Sequence, residues 1–298
     1  MAQDQAPEIL QFSIEGGQVD LAPARFATVD PALHRSWRDL GYLLLAIDAL
    51  DAAPPEELCD QVFRAMTETY YRDAASSVTR AVHAAVVAGN QVLFEHNVRA
   101  DAQHTVTVGL NCASIRGLDA YAAQYGPALT VYIHEGRIAY SPSDSPWLAR
   151  EGADGPAVPP SAMCGASRRI EPQLFHVPLQ PGDTVILGST SLIRSANPRS
   201  LAAAIRSAKG LGWETAVGSI TSDEPVGGAL YHVPETAVAA KPEPVAQQEE
   251  PAKPPVVTPP PVKPAPAITP PPAQARPSEE PFRPEPEPTT PAPAAKRV

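Results

Sequence analysis

Several features that would mark a specialised class of protein are missing from this chain. Its three cysteines, Cys59, Cys112 and Cys164, are an odd number with no C-x-x-C spacing, which argues against a disulfide framework and against a zinc site. The seven histidines, His34, His83, His96, His104, His134, His176 and His232, form no H-x-x-x-H or H-x-H pair, so spacing points to no metal centre. No G-x-S-x-G elbow is present: Gly188-Ser189 runs on into Thr190-Ser191-Leu192. No apolar run approaches the roughly 18 residues that a membrane span needs, and Met1 to Pro7 is polar and acidic where a secretory leader is basic and then apolar. The expectation is a soluble, cytoplasmic protein with no direct membrane insertion. Basic residues are also scarce, 23 against 33 acidic, for a formal charge of −10. That balance suits neither a nucleic-acid backbone nor an anionic membrane surface.

Proline is in excess, and its placement divides the chain. Of 37 prolines, 20 fall in the last 58 residues, where Phe282 is the sole aromatic. Such a stretch buries too little apolar surface to offset the entropy of ordering its backbone. Residues 241–298 are therefore expected to form a disordered tail biased toward polyproline II. The tail holds seven basic and seven acidic residues, so the whole net charge belongs to residues 1–240. We expect a folded domain over 8–222, a short connector over 223–240, and the tail beyond.

Periodicity supplies the elements. Gly41 to Ile47 is a continuous apolar run, expected to be a strand buried on both faces and ending at Asp48. Cys59, Val62, Phe63, Met66 and Tyr70 recur at helical spacing from Glu56 to Tyr71, and Val78, Val82, Ala85, Val86 and Leu93 do so between Ser76 and Glu95. From Thr105 the period falls to two. Strands are expected up to Arg116, at Asp119–Gln124, at Leu129–His134 and at Arg137–Tyr140, the last pair joined by a hairpin at Glu135-Gly136. An irregular stretch, Ser141 to Pro172, reads as an ordered flap or an insertion. Phe175–Val177 and Thr184–Leu187 bracket a turn at Gln180-Pro181-Gly182-Asp183, Asn197 caps a helix from Pro198 to Ala208, and a terminal strand is expected near Glu214–Ile220.

Motifs in this order resemble those of the metal-dependent (PPM, or type 2C) phosphatases over about residues 10–220. Leu179-Gln180-Pro181-Gly182-Asp183, followed by Leu187-Gly188-Ser189-Thr190-Ser191-Leu192, is similar to the family's L-x-P-G-D … L-x-S-D-G-L segment, with Thr190 at the position of a metal-ligand Asp. Ala46-Ile47-Asp48-Ala49 resembles V-A-D-G, whose Asp bridges two divalent metals. Arg25 and Asp30 match two positions of R-x-x-N-E-D. Gly126-Pro127-Ala128 resembles G-D-S with Asp and Ser replaced, and the family's C-terminal D-N-x-T has no counterpart between Gly210 and Thr221.

The resemblance implies an α+β fold, the PPM-type α-β-β-α sandwich of two antiparallel sheets flanked by helices. It also implies a phosphate-contacting role for Arg25, vestigial metal positions at Asp48 and Asp30, and a lost ligand position at Thr190. Two cations held by carboxylates generate the hydroxide nucleophile in such enzymes, and a threonine hydroxyl is neutral. A bacterial pseudophosphatase-like domain, with no catalytic residue and no cofactor, is the expectation, acting as a regulatory or signalling module for a protein partner. Beside it stand a divergent serine/threonine phosphatase using Mn or Mg, and a soluble domain whose Pro-rich spacer tethers it to an envelope partner. From the residues alone, Asp48 serves equally as a turn cap, Arg25 as a surface arginine, and Asp183 as part of a steric turn.

Overall fold

Strict alternation along β4 (Tyr42–Asp48) sends Leu43, Leu45 and Ile47 to one side and Leu44, Ala46 and Asp48 to the other, and all six are buried. The first set packs with two helices, α1 (Glu56–Asp73) and α2 (Val78–Arg99), around Val62, Met66, Tyr70, Val82, Val86 and Leu93. The second set faces another sheet through Phe26, Ala113, Ala122, Leu187 and Ala229. A strand covered on both faces has no polar side to show, which is why its sequence reads as one apolar run. The structure is a computed structural model and describes residues 6–33, 36–50, 53–148, 160–196, 198–222 and 224–235.

The first sheet holds β3 (Phe26–Val29), β4, β5 (Gly109–Arg116), β6 (Asp119–Tyr125) and β9 (Gln173–Pro178), in the order β3-β4-β5-β6-β9. The second holds β1 (Glu8–Glu15), β2 (Gln18–Asp20), β7 (Ala128–His134), β8 (Arg137–Ser141), β10 (Thr184–Ser189) and β11 (Val226–His232), in the order β2-β1-β11-β10-β7-β8. Every pairing is antiparallel. The outer face of the second sheet is covered by α3 (Thr190–Arg194), α4 (Pro198–Leu211) and α5 (Trp213–Gly218), through Leu192, Leu201, Ile205 and Val217 against Phe12, Val131, Ile186 and Leu230. The result is the expected α+β sandwich of two antiparallel sheets between helical layers.

Both expected turns form as drawn. Glu135 and Gly136 take positive φ, 49° and 78°, as a tight hairpin between β7 and β8 requires. Gly182 has φ +89° after Pro181, and Asp183 N–H donates to Gln180 O at 3.0 Å, a type II turn.

Two expectations change. The segment Glu214–Ile220 is not a strand: most of it lies in helix α5, with Ala216 and Val217 buried. The stretch 223–240 is not merely a connector, because β11 lies within it. That strand is buried at every position and is hydrogen-bonded on both sides, to β1 and to β10. Its two glycines obscure it in the sequence, and the packing demands them. A Cβ on Gly227 would lie 2.6 Å from the Phe26 ring and 2.7 Å from the Phe12 carbonyl oxygen, and one on Gly228 would lie 2.6 Å from Ile186. The folded region therefore reaches past the expected boundary at 222. The Asn197 cap, the middle of the flap (149–159) and the tail lie outside the described residues.

Candidate functional site

Asp48 ends β4 on the inward face, and Thr190 opens α3 directly after β10. The two sheets bring these ends together. Thr190 N–H donates to Asp48 Oδ2 at 2.7 Å, and the Thr190 hydroxyl donates to the same oxygen. That hydroxyl also lies 3.1 Å from the Pro127 carbonyl oxygen. Three motif positions recognised in the sequence, Asp48, Pro127 and Thr190, thus meet as one hydrogen-bonded group, with Asp48 3% and Thr190 0% exposed.

Gly109, opposite Asp48 in the β4–β5 register, makes this closure possible. A Cβ there would come within 2.6–2.8 Å of Pro127 backbone atoms, so the absent side chain is what admits the Pro127 carbonyl. Neighbouring hydroxyls are tied down as well. Ser189 Oγ accepts from Gly227 N–H at 3.3 Å and contacts Ser191 Oγ at 2.9 Å, while Ser191 Oγ donates to the Pro225 carbonyl at 2.7 Å.

Burial pushes the Asp48 carboxyl up to about 6, against the lowering effect of the two Thr190 hydrogen bonds and of the Arg25 and Arg194 charges. Arg25 belongs to this end of the sheet: its carbonyl accepts from Ile47 N–H at 2.8 Å. Arg194, at the end of α3, is held by Glu224. A metal site is built the other way round, with several carboxylates facing one cation.

Asp30 is not part of the group. Val29 pairs with Leu43, so Asp30 follows at the start of β4 while Asp48 closes its end, six residues away, or about 20 Å at strand rise. Its carboxylate instead accepts from Ala32 N–H at 2.8 Å and caps the short turn Pro31–Leu33. Its assignment as a metal position is corrected accordingly: the matched spacing put Asp30 at the wrong end of the sheet. Asp183, at the opposite end of β10 from Thr190, is structural. It accepts from Tyr132 Oη at 2.6 Å, from Gln180 N–H at 2.6 Å and from His134 Nδ1 at 2.7 Å.

Among the described residues no group of three or more His, Cys, Asp or Glu side chains is placed to hold a metal. At the Asp48 end the Asp48 carboxylate already accepts two hydrogen bonds beside arginine charge, and the Glu224 carboxylate is engaged by Arg194. That set does not fit a pair of hard divalent cations, each of which takes six or more oxygen ligands. Gly109 and Arg194 were not singled out in the sequence. Alternation placed Gly109 on β5, but only the close approach of Pro127 reveals its role.

No family model and no curated protein matches the sequence. Solved structures do match. The Streptococcus agalactiae serine/threonine phosphatase superposes with a TM-score of 0.55 at 13% identity, covering 76% of this chain and 100% of that one. The Mycobacterium tuberculosis serine/threonine phosphatase PstP/Ppp matches at TM-score 0.52 and 15% identity, over 76% of this chain and 100% of that one. PppA, described as a key regulatory component of the T6SS in Pseudomonas aeruginosa, matches at 0.52 and 15%, over 76% and 97%. With two antiparallel sheets between helical layers and these structural relatives, the chain carries the fold of the PPM-type serine/threonine phosphatases.

Proposed function

We propose that this domain is a non-catalytic PPM-fold module that acts by binding a protein partner, with residues 241–298 as tether or docking segment. The observation that supports this most directly is the Thr190–Asp48 contact: a residue at the position of a metal ligand donates two hydrogen bonds to the carboxylate that would bridge the metals. Pro127 adds to it: by the resemblance it stands where G-D-S has its Asp, and its carbonyl lies 3.1 Å from the Thr190 hydroxyl. Without the cations there is no activated water and no charge to offset the phosphoryl oxygens. A regulatory role on this fold has a parallel in PppA, which is described as a regulatory component. No helix among the described residues is long and apolar enough to cross a membrane. We place the domain in the cytoplasm on its cysteine usage.

Calorimetric titration of the full chain with manganese and with magnesium, alongside hydrolysis of p-nitrophenyl phosphate, tests the reading. We expect no saturable metal binding and no turnover above buffer. Manganese-dependent hydrolysis that disappears in Asp48→Ala would overturn it in favour of a divergent phosphatase.

A further inference from the structure

The segment from Pro160 to Ile170 runs beside α2 and the start of β5, and its mode of attachment differs from the rest of the domain. One isolated bridge pairs it with the body: Cys164 N–H donates to Val108 O at 2.8 Å and Val108 N–H to Cys164 O at 3.3 Å. The other anchors are mostly two asparagine side chains two turns apart on α2. Asn90 Oδ1 accepts from Gly165 N–H at 2.9 Å, and its Nδ2 donates to Ser167 O at 3.0 Å. Asn97 Nδ2 donates to Gly165 O at 3.0 Å and to Val106 O at 2.7 Å, while its Oδ1 accepts from Val106 N–H at 2.8 Å. Gly165 sits between them at φ +85°. A Cβ there would lie 2.6 Å from Val106 O and 2.8 Å from Asn97 Nδ2, so only glycine fits.

Met163, Cys164 and Gly165 are buried, whereas Ser161, Ala166, Arg168 and Arg169 are exposed. Met163 and Cys164 reach the core and Ile170 packs against it, but the backbone between them hangs on one bridge and side-chain amides, and a segment held in that way belongs to the low-stability end of a fold, where local opening precedes global unfolding. We infer that Pro160–Ile170 is a strap that opens as a separate unit, latched by Asn90, Asn97 and Gly165, and that its release uncovers Cys164 while both sheets stay folded. The strap also backs the Asp48 end of the sandwich. The Ala162 carbonyl oxygen would lie 3.5 Å from a Cβ on Gly126, the residue before Pro127. Its opening is independent of whether that end binds a metal.

Three buried thiols provide the measurement: Cys164 on the strap, Cys59 on α1 and Cys112 on β5. Burial pushes all three thiols up, so alkylation reports the open form of each site. The full chain is treated with iodoacetamide in increasing, sub-denaturing urea, and labelling is resolved by peptide mass spectrometry. Cys164 is expected to react at least tenfold faster than Cys59 and Cys112, with a rate nearly independent of urea. Asn97→Ala should accelerate Cys164 at least tenfold further and leave the other two unchanged. If all three thiols of the natural sequence react together with one steep urea dependence, the strap opens only with the whole domain and the inference fails. If Asn97→Ala accelerates all three equally, the asparagine is no latch.

Discussion

Thr190 places two donors on one oxygen of Asp48, so the carboxylate joins the end of a strand in one sheet to the first turn of a helix that follows the other. Removing the hydroxyl alone, as Thr190→Val, keeps shape and β-branching but leaves a buried carboxylate one partner short. We expect a loss of about 1–3 kcal/mol, read as a lower urea midpoint at unchanged m-value. The same carboxylate carries a pH signature. Its folded pKa, about 6, lies above its unfolded value of 3.8, so the native state binds more protons across that window. Its contribution to stability is then fully present below about pH 4 and is lost as pH rises through 6. Asp48→Asn cannot ionise. Between pH 4 and 7 the stability of this variant relative to the natural sequence should rise by about 2 kcal/mol, the other carboxylates cancelling in the difference. A difference that stays flat with pH would show that Asp48 ionises freely. Asp48, Pro127 and Thr190 are each legible because each occupies a motif position with a marked neighbour, whereas their meeting as one hydrogen-bonded group follows only from the packing of the two sheets. Asp30 was misread because only two positions of its motif matched, and spacing along the chain does not say at which end of a strand pair a residue lands.

The elements whose sequences carry a clear period, α1, α2 and the run of strands from β5 to β8, form close to where that period puts them. Those that escaped detection are governed by packing. In β11, Val226-Gly227-Gly228-Ala229 has little strand propensity of its own, and only the Phe12 and Phe26 rings around it explain why small residues are required. Gly227→Ala should therefore destabilise the domain by about 1–3 kcal/mol, since the Phe12 backbone cannot yield as a flexible side chain would. Denaturant midpoints of the variant and the natural chain decide this. Truncation gives a sharper outcome. A chain ending at 222 lacks β11 and should show no cooperative melt, whereas one ending at 240 should fold.

At the scale of the whole molecule, the composition of residues 241–298 predicts that they add nothing to the core of the domain. Pro-Pro and Pro-x steps hold φ near roughly −65° and remove amide donors, and the residues before them are pushed toward extended conformations. At about 3.1 Å per residue, these 58 residues reach on the order of 180 Å when fully extended. Deleting them should leave the melting temperature within a few degrees and, on the proposed function, weaken partner binding; a larger drop in melting temperature would mean that they pack on the domain. The position of β11 has a consequence for synthesis. The last described strand in the sequence lies between β10 and β1, which precedes it by more than 200 residues. Until it emerges from the ribosome, the second sheet exists as two separate ribbons, β2-β1 and β10-β7-β8, each with an open edge able to pair with another chain. Closing a contact across more than 200 residues is slow on topological grounds.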